Sequence, residues 1–304
     1  VGRILEEIDY RYEASYAEQF AQLFASAHVA VPRIIKTHSA KRVLTMEWVE
    51  GVSLGDQKRL EELGIDPEPL IDRGVRCSLD QMLYQGFFHG DPHPGNIMVT
   101  KEGKLAYLDF GMMGTLTVDT RHGMVRLLVN FVNRDADELA SDLVTLGFIP
   151  SDVPLGPVRA SLLESFKSAG NDDGTGSSSS SGGSSSTRRL DFRGVVSDLS
   201  AVLADHGLRI PATFALVIRS LAALEGTVMK TDPEFKVVAR AYPHVVAQMF
   251  RDRSDSMRSI LKSMVLSKEG DIRWNVLDRL VRPNMADAFT TTRENHNNGN
   301  GNGN

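Results

Sequence analysis

The sequence predicts an α+β fold that is mainly helical, and three observations carry this. Apolar residues recur at helical spacing over much of the chain, most clearly in 4–26, 67–85 and 190–250. Two short apolar runs, 97–99 and 105–108, flank the turn Lys101-Glu102-Gly103-Lys104 and read as a β-hairpin. Two further runs, 29–35 and 42–49, read as strands, although Pro32 interrupts the first.

In order, residues 4–26 form an amphipathic helix with Leu5, Ile8, Tyr12, Phe20, Leu23 and Phe24 on one face and acids between them. The strands 29–35 and 42–49 turn near Ser39. Helices at 60–64 and 67–85 follow, the second with Leu70, Ile71, Val75, Leu79, Met82 and Leu83 as its stripe. After Gly111 comes a helix with Asp119 as its expected cap, and Met112 and Met113 as packing. Two amphipathic helices, 135–146 and 155–168, lead to a Ser/Gly tract at 170–187. That tract has little to bury and reads as a linker or loop insertion. Helical periodicity returns over 190–250, where Arg219 and Glu225 are expected to form a satisfied buried pair, with a catalytic role as the lesser alternative. A last helical segment, 257–281, surrounds Trp274, and the tail from 293 is too polar to fold.

Chemistry concentrates in 87–111, FFHGDPHPGNIMVTKEGKLAYLDFG. Asp91 precedes Asn96 by five positions and Asp109 follows Asn96 by thirteen. A catalytic loop H-x-D-x-x-x-x-N followed by D-F-G has this spacing, and His89, Asp91, Asn96, Asp109, Phe110 and Gly111 fill every slot. Phosphoryl transfer needs such a set because the protein mainly positions groups and neutralises charge. Asp91 is expected to take or orient the acceptor proton, and Asn96 and Asp109 to hold Mg2+ as oxygen ligands. The hairpin is expected to hold Asp91 and Asn96 at one end and Asp109 at the other, all facing one cleft. Zinc on His89, Asp91 and His93 is the lesser alternative, since Pro92 and Pro94 prevent a regular strand there.

The filler HGDPHPGN differs from the HRD loop of ordinary protein kinases and resembles that of the AarF/UbiB family of atypical kinases. EIDYRYEA resembles the E-x-D helix of that family, with Glu7 and Asp9 in its acidic slots. Glu13 then stands where the family has the glutamate that pairs with the nucleotide-binding lysine. By the resemblance that lysine, an Ala-rich loop and a K-x-G-Q segment belong upstream of Val1, so the chain is expected to be a fragment with an incomplete nucleotide site. VLTMEWVEG resembles a strand running into a kinase hinge, with Met46, Glu47, Trp48 and Val49 facing adenine; Trp48 as plain core is the alternative. The helices of 208–243 resemble the family's C-terminal extension in its plastid and cyanobacterial branch.

Composition narrows the classes further. At 304 residues and 41% hydrophobic content the chain builds a substantial core, and a net charge of -5 gives no electrostatic case for nucleic acid. Cys77 is the single cysteine, so no intrachain disulfide forms. No apolar run is long enough to span a bilayer.

The expected architecture is a protein-kinase-like fold. The end of the N-lobe occupies 1–50, the C-lobe 51–169, the insertion 170–187, a helical extension 188–285 and a disordered tail 286–304. The resemblance implies an ATP/ADP- and Mg2+-using kinase or ATPase that supports isoprenoid-quinone metabolism, with a small or lipidic acceptor. The near absence of an activation segment after Gly111 argues in the same direction. It also implies a plastid location, at plastoglobules or another peripheral lipid surface, with mitochondrion or bacterial cytoplasm as alternatives. Two other readings stand beside it: a nucleotide-switched lipid-binding scaffold or pseudokinase, and a small-molecule kinase of the aminoglycoside/choline type.

Overall fold

Helix α1 (Tyr10–Phe24) begins where Asp9 caps it, the carboxylate accepting from the Arg11 backbone N–H. The computed structural model describes residues 9–26, 28–171, 192–229, 235–266, 270–274, 276–278 and 280. Glu7, nearly all of the Ser/Gly tract and the tail lie outside the described residues.

Ala17 and Phe20 on α1 are buried against a four-stranded sheet. Its order is β1 (Val29–Ala30), β5 (Leu105–Tyr107), β4 (Ile97–Thr100), β2 (Gly51–Ser53), and only the β1–β5 pair is parallel. Beneath it β3 (Phe87–His89) pairs antiparallel with β6 (Met113–Thr115). The β4–β5 hairpin pairs Ile97 with Tyr107 and Val99 with Leu105. Antiparallel strands begin and end together, so Asn96 and Asp109 leave the hairpin at the same open end. The Leu108 N–H donates to the Asn96 carbonyl there at 3.0 Å. The expectation of opposite ends is corrected.

The arm 29–49 is less regular than its pattern predicts. Beyond Ala30 it holds only single bridges, Ile34 with Met46 and Ala40 with Val43, around a 3-10 turn at Lys36–His38. Pro32 has no N–H to continue a ladder. Strands β2 and β6 are not legible in the pattern, being three residues long and each containing a glycine. Those glycines admit a neighbour: a Cβ on Gly51 would meet the Val99 carbonyl, and one on Gly114 the Phe88 ring.

The helical layer comprises α2 (Gln57–Glu62), α3 (Pro67–Asp80), α4 (Val118–Val132), α5 (Ala136–Thr145), α6 (Leu155–Asn171), α7 (Phe192–Asp205), α8 (Ala212–Val228), α9 (Val237–Arg251) and α10 (Asp255–Val265). Helix α3 runs on through a π-helical turn, Gln81–Gln85, and stops at Gly86, whose φ of 68° is the left-handed conformation glycine tolerates. Helix α4 is capped by Thr117, which accepts from the Thr120 N–H, and not by Asp119. Asp119 lies in the first turn, where a negative charge suits the helix dipole. The segment 257–281 is not one helix. It ends at Val265, and Leu266 bridges to Ile272 around Gly270 (φ 93°).

Helices α8 and α9 share a core with α3, where Ile71, Val75 and Leu79 meet Leu224, Val228 and Val238. Helix α8 also reaches the strands: Leu216 and Val217 pack with Met82, Phe88 and Leu116. The apolar stripes of these helices therefore converge beneath the loop after β3, and that loop is held on a rigid base.

Candidate active site

His89 brackets the site. It ends β3 and is 2% exposed. Its Nδ1 accepts from the Asp91 backbone N–H at 3.0 Å, and its Nε2 lies 2.6 Å from the Asp109 carbonyl. A ring nitrogen facing an N–H and another facing a C=O select the neutral tautomer with the proton on Nε2. Burial pushes the pKa of His89 down in the same sense. The His89 N–H donates to Gln81 Oε1 at 3.0 Å, and Ser220 Oγ on α8 donates to its carbonyl at 2.8 Å. One imidazole thereby ties the start of the catalytic loop to the D-F-G.

With both nitrogens engaged, His89 is not available to zinc. His93 Nδ1 accepts from the Gly95 N–H at 3.0 Å and caps the Pro94–Asn96 turn. Among the described residues no three His, Cys, Asp or Glu side chains converge as a metal cluster.

Asp91 is 26% exposed at its side chain, and its Oδ2 accepts from the Arg219 guanidinium at 2.9 Å. The expected pairing of Arg219 with Glu225 is corrected. Six residues along a helix turn a side chain to a different face, so the two do not meet. Glu225, fully buried, accepts instead from the Val237 N–H at 3.4 Å. Asn96 reaches the Asp91 carbonyl through Nδ2 at a long 3.5 Å, a bond that leaves its amide oxygen unused.

Asp109 is exposed, with Oδ1 accepting from the Gly111 N–H at 2.9 Å. Phe110 is 1% exposed and packs on Phe20 and His89 at ring-centroid distances of 5.2 and 6.1 Å. Its N–H donates to Glu13 Oε1 at 3.2 Å, which docks α1 onto the D-F-G. Burial pushes the Glu13 carboxyl up; the Phe110 bond opposes this, and the neighbouring Asp109 charge adds to it. Two facing carboxylates of this kind favour a cation. The oxygen donors of Asn96 and Asp109 suit a hard ion such as Mg2+, which takes one or two protein ligands and completes its shell with phosphate and water.

The hinge-like segment 46–49 is tied back to Arg33. The Glu47 N–H is held by the Arg33 carbonyl at 2.9 Å, and its carboxylate pairs with the Arg33 guanidinium at 2.8 Å, a contact that pushes its pKa down. Met46 and Val49 are half-buried, while Trp48 is 89% exposed, which rules out the core alternative. Ser53 Oγ donates to the Pro94 carbonyl at 2.9 Å and joins the segment to the catalytic loop. Asp9 is held by Arg11 as an ion pair at 2.7 Å that lowers its pKa to about 2.

Arg219, Ser220 and Leu216 are the site-facing residues that sequence reasoning missed. Their one signal is the polar pair Arg219-Ser220 inside the apolar run 214–224.

Residues 2–143 match the model of the ABC1 atypical kinase-like domain. An uncharacterised Synechocystis protein is 43% identical over 282 residues, covering 92% of this chain and 39% of that protein. The Arabidopsis thaliana protein ACTIVITY OF BC1 COMPLEX KINASE 3, chloroplastic, is 37% identical over 286 residues, covering 94% and 38%. A further Arabidopsis chloroplastic protein, an uncharacterised aarF domain-containing protein kinase, is 36% identical, covering 93% and 38%. The chain thus spans under two fifths of the length of these relatives. No helix among the described residues is long and apolar enough to cross a membrane. By this domain match and its cyanobacterial and chloroplastic relatives, the chain carries an ABC1, or AarF-type, atypical kinase-like domain over residues 2–143.

Proposed function

We propose that the chain carries the catalytic centre of an ATP-Mg2+-dependent phosphotransferase or ATPase that supports isoprenoid-quinone metabolism in plastids, with a small or lipidic acceptor. The observation behind this is the His89 bracket, which sets Asp91 and Asp109 on two sides of one imidazole. Asp91 orients the acceptor hydroxyl and takes its proton. Asn96 and Asp109 hold Mg2+ against the nucleotide phosphates, where the ion neutralises developing charge. In this reading Met46, Glu47, Trp48 and Val49 offer backbone groups to adenine, and the exposure of Trp48 leaves its indole accessible to the ring. Glu13 positions the D-F-G through the Phe110 N–H. Only β6 and a short turn separate Gly111 from α4, so no long segment is present to dock a peptide. Glu7 and Asp9 complete the family's acidic motif, and Asp9 caps α1.

The test is calorimetry of ADP and ATP on the full-length protein, with and without Mg2+, beside the Asp109→Asn variant. Hydrolysis is then followed with and without prenylquinone-bearing vesicles. Mg2+-dependent binding that weakens about tenfold or more in Asp109→Asn supports the assignment, a loss on the scale of one charged ligand. Nucleotide binding indifferent to both Mg2+ and Asp109 would falsify it.

One observation favours the scaffold reading as a second possibility. An apolar cavity of about 180 Å3 lies among α3 to α9, lined by Leu83, Met124, Leu128, Phe131, Leu199 and Leu221 among others. The pocket is partly open and its lining is almost wholly apolar, which suits part of a lipid chain. Prenylquinone binding lost in a Leu128→Trp variant, with no turnover in the wild type, selects the scaffold. The ABC1 domain match speaks against the aminoglycoside/choline kinase reading.

A further inference from the structure

We propose that Arg219, from helix α8, is a positioning residue for the reaction and holds the Asp91 carboxylate for the acceptor. This rests on Asp91 being the acceptor-orienting group.

Four observations support it. The guanidinium lies 2.9 Å from Asp91 Oδ2, and that bond leaves the other carboxylate oxygen to meet a hydroxyl. The helix that carries Arg219 is anchored at the same place: Ser220 Oγ donates to the His89 carbonyl at 2.8 Å, and Leu216 packs over Gly90 and Gly114. The loop from Gly90 to Asn96 contains no lysine or arginine, while three carboxylates, Glu13, Asp91 and Asp109, border the site. Positive charge beside Asp91 thus arrives from a distant helix. Finally, Arg219 lines a cleft of about 280 Å3 with Tyr12, Tyr16, Met112, Met113 and Leu216. A molecule in that cleft lies against the guanidinium that holds Asp91.

The competing account is a solvent-exposed ion pair. Arg219 is 53% exposed at its side chain, and such pairs contribute little to stability. A pair of that kind affects melting slightly and turnover not at all. A positioning residue behaves differently, because a carboxylate displaced by about 1 Å costs about a hundredfold in rate.

The experiment is steady-state kinetics of the full-length protein for Arg219→Ala, Arg219→Lys, Asp91→Asn and the Arg219→Ala/Asp91→Asn double variant. Expected is a kcat about 10- to 100-fold lower in Arg219→Ala with nucleotide KM changed less than about threefold, and partial recovery in Arg219→Lys. Within the Asp91→Asn background the Arg219 change adds less than about twofold, because the two residues act as one unit. A wild-type-like kcat in Arg219→Ala overturns the proposal while leaving the kinase reading intact. An equal loss in both backgrounds also overturns it, since the effect then comes from helix docking alone. Absence of any turnover in the wild type rejects the kinase reading and this inference with it.

Discussion

Gly90 sits between His89 and Asp91, at the slot where the H-R-D loop of protein kinases carries arginine. A Cβ built on it would lie 2.6 Å from Leu216 Cδ1 and 3.0 Å from both the Met112 Cγ and the Met112 carbonyl. Ordinary carbon–carbon contact is about 3.5–4.0 Å, so Leu216 has to move by roughly 1 Å. It is 7% exposed and packed with Met82 and Phe88, and it has little room. Overpacking of this kind costs about 1–3 kcal/mol. At about 2–4 °C per kcal/mol for a chain of this size, Gly90→Ala melts about 2–12 °C lower. Leu216→Ala alone costs about 2–5 kcal/mol. In the double variant the added methyl group enters the space Leu216 vacates, so the two losses fall short of additivity by about 0.5–3 kcal/mol. Urea denaturation of the four forms measures this coupling. Strict additivity, or a Gly90→Ala protein as stable as the wild type, refutes the docking of α8 on the catalytic loop.

Other consequences follow from the same packing. Phe20 is fully buried against Phe24, Tyr107 and Phe110, so Phe20→Ala costs about 3–5 kcal/mol by urea denaturation and loosens the Phe110 turn that Glu13 holds. Replacing the α4 cap, Thr117→Ala, costs about 1 kcal/mol in the same assay, whereas Asp119→Ala costs less. His89 is kept neutral by burial, so the unfolded chain takes up a proton that the folded one refuses. Its share of stability is complete above pH about 6.5 and is lost as pH falls, which melting curves from pH 8 to 5 will show. Glu13 has the opposite sign: its raised pKa means a contribution present at low pH and lost as pH rises through the raised value. Glu13→Gln therefore melts higher than the wild type at pH 7 in the absence of Mg2+.

Much of this protein is legible along the chain because much of it is local. His89, Asp91, Asn96 and Asp109 fall within one stretch, and a four-residue turn is enough to return Asp109 beside Asn96. The long helices declare themselves through the period of their apolar faces, as Leu70 to Leu79 do in α3. What periodicity records is which face of an element is buried, not what that face meets. The strands β2 and β6 escape it because three residues with a glycine carry no pattern. The cap of α4 escaped because two polar residues, Thr117 and Asp119, compete for one helix start.

The residues alone thus determine the polar set of the 89–96 loop, its spacing to Asp109 and the helical class of the chain. Only the tertiary structure decides that Arg219 pairs with Asp91, 128 residues away, and not with the nearby Glu225. The reason is physical. Spacing within a loop is set by backbone geometry, whereas the register of α8 on the loop is set by many weak contacts, among them Leu216, Val217 and Ser220. No single one of those contacts is written in the sequence around either residue.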